Sequence, residues 1–361
     1  MSKSGRFLLV VVAALLLVGL TMLMSASPAQ AELKGYPPLH FFKIQLVWLA
    51  FALAAAFAGY KIDYHLWCRL SWPVYALVLL LLAAVLLTPA VKGSHRWFRL
   101  AGFSFQPSEF AKFAGIVAMS AWYARHRRDA GTFKHGILLP GIVLGTLVGL
   151  VLLEPDYGTT FLVGIVGAAI MFIAGAPGLL LLLCLFGGAA LLSVLIYLNP
   201  ERMGRFIAFL EPEAHADDNA YQLLNSIYGF FIGGPMGQGL AGGIQKRFYL
   251  PDAHTDFIFA VIAEELGIAG TLGVAALFIA FVFCGFRISG AARDFEGHLL
   301  AFGITVLVGV QACFNIGVVT GRLPTKGLPL PFISYGGSAL CVTLFMVGVL
   351  LQISRRKSLP G

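Results

Sequence analysis

The feature that most constrains this chain is a series of apolar stretches, each near the ~20 residues an α-helix needs to cross a bilayer. They fall at 7–24, 43–60, 71–90, 107–124, 136–153, 158–175, 178–198, 268–286, 298–320 and 336–353. At membrane depth no water satisfies the backbone, so each stretch must pair its own N–H and C=O groups, and a helix does that within one segment. The fold class expected is all-α, a polytopic integral membrane protein of about ten transmembrane helices. A single membrane domain is expected over 1–361, with 199–255 as a large extracytoplasmic loop between the seventh and eighth helices. Of the 361 residues 59% are hydrophobic and only 12% charged, about half the charge of a soluble domain, which excludes a soluble α/β enzyme.

Lys3 and Arg6 precede the first run, and Ala29-Gln30-Ala31 follows it like a signal-peptidase site. The run is longer than the ~7 to 15 residues of a signal core, so a retained first helix is expected. Lys and Arg divide almost evenly between the two sides, and position decides the orientation. ArgHisArgArg at 125–128 and ArgArgLys at 355–357 abut helix ends as tight clusters, which puts them and both termini in the cytoplasm. The five cysteines are scattered singly without CxxC spacing and read as small core residues. A net charge of +8 suits anionic lipid head groups or a phosphate-bearing substrate, and no basic run is long enough to argue for nucleic acid.

Against this background one stretch stands out, YLPDAHTDFIFAVIAEELG at 249–267, which gathers Asp252, His254, Asp256, Glu264 and Glu265. Charge near membrane depth is costly and marks a functional site. If 256–266 is helical, Glu264 lies roughly 12 Å along the axis from Asp256, beyond the ~5 to 9.5 Å of a two-carboxylate glycosidase. What remains is one carboxylate near a helix start, suited to taking a single proton from a hydroxyl. Helix capping is the structural alternative for Asp256.

Four other clusters face the same expected side. LysGlySerHisArgTrpPheArg at 92–99 is followed by Gln106, Ser108, Glu109 and Lys112, where Glu109 and Lys112 are spaced to pair and Pro107 also suits an ordinary helix start. GluProAspTyrGly at 154–158 breaks an apolar run, as a tight turn would, with more carboxylates than a turn needs. The long loop carries Arg202, Arg205, Glu211, Glu213, Tyr221, Gln222 and a glycine-rich run up to Lys246, whose backbone amides could approach a phosphate or simply form a flexible loop. The Pro/Gly-rich segment at 320–338, with Arg322, Lys326, Ser334 and Tyr335, is either a plain loop or irregular backbone lining a polar cavity.

YLPDAHTDFIFAVIAEELG, FNIGVVTGRLPTKGLPLPFISYGGS, GFSFQPSEFAKF, EPDYGTT and MGRFIAFLEPE together resemble the shape, elongation, division and sporulation (SEDS) family of FtsW, RodA and SpoVE, over nearly the whole chain. ProThrLysGly at 324–327 is most similar to the FtsW type, whereas Asp252, Pro329, Ala339, Ala241 and Gly243 depart from its usual residues. The resemblance implies a peptidoglycan glycosyltransferase that polymerises lipid II on the outer face of the bacterial cytoplasmic membrane, for septal wall synthesis or, in a RodA-like role, elongation. Its implied partners are a class B penicillin-binding protein of the FtsI type, other division proteins and membrane lipids. It places the essential aspartate on Asp256, with Lys246, Arg205, Arg96, Lys112 and Lys326 as candidates to neutralise the leaving diphosphate, and with Glu109, His254, Ser334 and Tyr335 as further substrate contacts. A divalent cation (Mg or Mn) is implied by the resemblance alone, because no metal-ligand spacing shows it. A lipid II flippase would use the same cations but needs ionisable groups at mid-span, where this chain has few. A noncatalytic scaffold would make Asp256 replaceable.

Overall fold

The opening apolar run becomes α1 (Lys3–Leu33), capped by the Ser2 hydroxyl, which accepts from the Gly5 N–H at 3.0 Å. It continues unbroken through Pro28 and the Ala29–Ala31 triplet, where Ser27 and Ala31 are buried, and packs along α11 (Ile258–Gly290). Removing it would strip that face. The computed structural model describes residues 2–89, 94–100, 103–216, 220–251 and 253–355. Lys92, Gly93, Gly102, Asp252, Arg356 and Lys357, singled out above, lie outside them.

After α1 come α2 (His40–Lys61), the short α3 (Tyr64–Arg69) and α4 (Ser71–Val85). A two-stranded antiparallel ribbon of β1 (Phe98–Leu100) and β2 (Phe103–Phe105) pairs Phe98 with Phe105 and leads into α5 (Pro107–Arg125). A π-helical turn, Lys134–Leu138, opens α6 (Leu139–Leu153), which is followed by α7 (Tyr157–Ile173) and α8 (Gly178–Tyr197). The connection after α8 contains α9 (Pro200–Leu210) and α10 (Tyr221–Gly233); then come α11, α12 (Phe295–Val319) and α13 (Gly337–Ile353).

Every predicted apolar stretch falls on one of these helices. Lys3–Leu33, His40–Lys61, Lys134–Leu153, Gly178–Tyr197, Ile258–Gly290 and Phe295–Val319 are long and apolar enough to cross a membrane, and Ser71–Val85, Tyr157–Ile173 and Gly337–Ile353 are shorter apolar helices. The chain is a helical, multi-pass membrane protein. The ribbon and the helices α9 and α10 are additions to the sequence reading: Asn199 caps α9 by accepting from the Arg202 N–H at 3.3 Å, with Pro200 in its first turn.

Small residues set the helix spacing where hydrophobicity alone cannot. A methyl on Gly348 would come within 2.1 Å of the Ala56 carbonyl oxygen, and one on Gly59 within 2.5 Å of that of Phe345, so α2 and α13 touch backbone to backbone. The centre is α5, buried almost all round, against α7 and α12. By contrast α8 turns nearly its whole surface outward, with Leu181 its one buried residue among those described.

The most consequential departure is inside α11. The helix begins at Ile258, ten residues before the predicted stretch, and is broken at Gly267 (φ 64°, ψ −162°), a conformation that favours glycine. A break at this depth frees backbone groups, and the glycine-rich loop takes them up. The Gln238 and Gly239 N–H groups donate to the Glu264 and Glu265 carbonyls at 2.9 and 3.0 Å, and the Ile268 N–H donates to the Gly234 carbonyl at 3.0 Å. Residues 258–266 thus form a buried half-helix with the stretch holding Asp256 at its start.

Candidate active site

Asp256 precedes the half-helix, whose cap position is Phe257, so it is not the N-cap residue. Its backbone carbonyl accepts from Asn315 Nδ2 on α12 at 2.8 Å, and the same nitrogen donates to the Leu328 carbonyl at 2.7 Å. One buried amide therefore holds the Asp256 turn against the 327–329 segment. Gly327 lies close to the carboxylate: a methyl group there would come 2.6 Å from Asp256 Oδ2, so a larger residue would make the carboxylate or this backbone shift.

One helical turn before Asn315, Gln311 donates to the Pro329 carbonyl at 2.8 Å and accepts from Lys112 Nζ at 3.2 Å. Lys112 also pairs with Glu109 at 2.7 Å, both side chains almost fully buried. Ser334 donates to the Thr255 carbonyl at 2.6 Å and accepts from the Leu330 N–H at 2.8 Å, while the Tyr335 N–H donates to the His254 carbonyl at 3.0 Å. Glu109, Lys112, Ser334 and Tyr335 thus brace the two segments that meet at Asp256.

On the Lys326 side of Gly327 the charge is out of balance. Arg96 donates to the Glu154 and Pro155 carbonyls and lies 3.8 Å from Asp156. Arg202 donates to the same Pro155 carbonyl at 3.1 Å and lies over the Tyr157 ring, 3.8 Å from its centroid; Lys326 Nζ is 5.0 Å from that centroid. Burial, followed by the nearby Arg202, Arg96 and Arg205, brings the Lys326 ammonium down to about 8, against the pull of Asp156. The fully buried Glu154 is pushed up to about 8, first by burial and then by Asp156, against the pull of Arg96. Asp156 is engaged as the N-cap of α7, accepting from the Thr159 N–H and hydroxyl at 3.2 and 3.0 Å. Arg96, Arg202, Arg205 and Lys326 thus gather against Asp156, Glu154 and Glu201, an excess of positive charge suited to an anion.

Lys246 sits elsewhere. It is buried in contact with Glu265 and donates to Ser25 on α1 at 2.6 Å, and Ser25 in turn donates to Glu265 at 2.8 Å. Glu264 accepts the Ile244 and Gln245 N–H groups at 2.7 and 3.2 Å, and Glu265 accepts that of Ala241 at 3.0 Å. Of the glycine-rich run, the Ala241, Ile244 and Gln245 amides are taken up by these two carboxylates and those of Gln238 and Gly239 by the backbone carbonyls of the same glutamates. The reason is physical: two buried carboxylates must be satisfied, and the loop supplies the donors.

The structure thus sets Asp256 against Gly327, groups Lys326 with Arg96, Arg202 and Arg205, places Glu109, Lys112, Ser334 and Tyr335 among the braces of the two segments, and sets Lys246 against Glu265. Among the described residues, no three His, Cys, Asp or Glu side chains are grouped to hold a metal ion. Sequence reasoning passed over Asn315 and Gln311, although two amides at i,i+4 in an apolar stretch are a readable sign of buried polar function. Arg202 and Tyr157 were noticed only as members of larger clusters.

A model of the FtsW, RodA and SpoVE family, described as cell cycle protein, matches residues 6–359. A Trichlorobacter lovleyi protein named a probable peptidoglycan glycosyltransferase FtsW is 41% identical over 353 residues, covering 96% of this chain and 92% of its own length. A Coxiella burnetii protein of the same name is 38% identical, covering 94% and 93%. Among solved structures, a chain from a peptidoglycan synthase complex in which polymerization and crosslinking are coordinated superposes with a TM-score of 0.80 at 31% identity, covering 96% of each chain. The rod shape determining protein RodA of Thermus thermophilus superposes with a TM-score of 0.73 at 28% identity, covering 98% of this chain and 97% of its own.

Proposed function

The chain belongs to the FtsW, RodA and SpoVE family of cell cycle proteins, and from that premise we propose that it is a peptidoglycan glycosyltransferase that polymerises lipid II for septal wall synthesis. The observation that carries this reading is the close approach of Gly327 to the Asp256 carboxylate, since the residue before Gly327 is Lys326, a member of the cation cluster with Arg96 and Arg202. A base and an anion site side by side are what transfer of a sugar from a diphosphate requires.

Asp256 accepts the proton of the acceptor sugar's 4-hydroxyl as that oxygen bonds to the donor's anomeric carbon. The bond from that carbon to the diphosphate oxygen breaks, and undecaprenyl diphosphate leaves with the electron pair. Its growing negative charge falls on Arg96, Arg202 and Lys326, which are already held in place by carbonyls and the Tyr157 ring. The lack of a three-residue carboxylate or histidine group among the described residues excludes a cage built from them, but not a magnesium-like ion, which binds through one or two carboxylates plus substrate phosphates. Asp256 is the residue that would hold it, and it would add positive charge at the diphosphate.

In this reading ten helices cross the cytoplasmic membrane, both termini are cytoplasmic, and the 199–255 connection and the site face outward. The product passes to a class B penicillin-binding protein of the FtsI type within the division machinery. The test is polymerisation of lipid II by the purified chain with its cognate penicillin-binding protein, with Asp256→Asn compared at equal folded yield. The expected result is loss of glycan strands with lipid II still bound. Continued polymerisation removes Asp256 from the role of base.

A further inference from the structure

Arg96, Arg202 and Lys326 gather round Tyr157 and the Pro155 carbonyl, and Lys326 joins the Asp256 turn through Gly327. A second set of side chains meets the same turn through His254 and shares no residue with the first. His254 packs its ring 5.1 Å from Phe41 and 5.5 Å from Tyr335, and Phe41 lies 5.5 Å from Tyr335. Outward from Phe41 the strip continues to His40 at 5.4 Å and Tyr36 at 6.2 Å, with Tyr36 and His40 stacked face to face at 4.2 Å. Lys34 Nζ lies 5.1 Å over the Phe41 ring.

The loop between α1 and α2 that presents this strip is stiff. Gly35 takes φ 70°, Pro37 and Pro38 fix the next turn, and the Tyr36 N–H donates back to the Ala31 carbonyl at 2.8 Å. Phe41 and His254 are buried, whereas Tyr36 is 48% exposed, so the strip runs from the turn that carries the base to an open aromatic face. Aromatic rings set in a rigid frame bind flat, weakly polar faces at low entropic cost. The C–H face of a pyranose is such a surface.

We propose that the Tyr36–His40–Phe41 strip is the subsite for the acceptor sugar, with the exposed Tyr36 ring stacking on the hexosamine whose 4-hydroxyl reaches Asp256. This rests on the glycosyltransferase reading above. Displacement at the anomeric carbon brings the nucleophile in on the side away from the leaving diphosphate. If the diphosphate is held by Arg96, Arg202 and Lys326, the acceptor arrives from the side of the Asp256 turn that those cations do not line, and the aromatic strip meets the turn there. Tyrosines at a membrane interface also serve as lipid anchors. An anchor, however, has no need of a packed path of rings leading from Tyr36 through Phe41 to His254.

The experiment measures lipid II polymerisation by the full chain with its cognate penicillin-binding protein for Tyr36→Ala, Tyr36→Leu and Tyr36→Phe, with Asp256→Asn as control. Tyr36→Ala and Tyr36→Leu raise the KM for lipid II about tenfold, in line with loss of one aromatic stack, and leave kcat within about twofold. Tyr36→Phe keeps the wild-type KM, and Tyr36→Leu fills the volume should the alanine variant fail to fold. An unchanged KM in Tyr36→Leu, or a fall in thermal stability in bilayers as its only effect, overturns the subsite and marks an interfacial anchor. A polymerising Asp256→Asn chain overturns the catalytic reading instead, so the two failures are distinguishable.

Discussion

Two kinds of basic site stand side by side in this molecule. Lys112 and Lys246 are buried, each against a glutamate and a second polar partner, Gln311 for one and Ser25 for the other. Arg96, Arg202 and Lys326 crowd round Tyr157 and one Pro155 carbonyl, and none of the three has a carboxylate of its own at salt-bridge distance as close as those of Lys112 and Lys246. A buried charge with its partner inside the protein is scaffold, because removing either member strands the other. A group of like charges held together by neutral carbonyls and a ring is incomplete until an anion arrives. The sequence shows all five simply as cations near helix ends, and the geometry divides them.

The largest expected effect breaks the scaffold side. Lys246→Ala leaves Glu265 buried and uncompensated and costs about 3–5 kcal/mol of stability, read by thermal unfolding in detergent. The double change Lys246→Met with Glu265→Leu recovers most of that loss. Full stability in Lys246→Ala would move Lys246 to the ligand-binding class.

Next in size is Gly327→Ala. A methyl group 2.6 Å from Asp256 Oδ2 displaces either the carboxylate or the backbone beside Lys326. Misplacement on that scale lowers turnover about 100-fold while the helical fold persists. Near-normal turnover would show that Asp256 does not depend on this contact.

The smallest effect is a pH dependence. In the proposed reaction Lys326 must be charged to meet a diphosphate, and burial with the nearby arginines brings its ammonium down to about 8, below the usual 10.5. Activity therefore falls as pH rises through about 8, and Lys326→Arg, which stays charged, moves that limb upward. A limb that stays in place in Lys326→Arg assigns the titration to another group.

How much of this was legible beforehand follows from the same physics. The helices were, because apolar runs of membrane length have almost no other way to pair their backbone. The stretch around Asp256 also stands out in the sequence, because a carboxylate near membrane depth is rarely idle. A helix over 256–266 could be supposed from the sequence, but its break from the following span could not, since that break lies in one glycine, Gly267. Nor could the work of the glycine-rich loop, whose amides turn inward to Glu264 and Glu265. Composition suggests a phosphate cradle, and only the fold shows which acceptors are nearer.

The measurement that tests the division most directly is calorimetric titration of undecaprenyl diphosphate into the wild-type chain, Arg202→Ala and the Lys246→Met, Glu265→Leu double variant. The account predicts that Arg202→Ala weakens binding roughly 10- to 100-fold, the loss of one charged hydrogen-bonding group, with its unfolding temperature unchanged. It predicts wild-type affinity for the double variant. Equal affinity in Arg202→Ala and wild type, or loss of binding in the double variant alone, would contradict it.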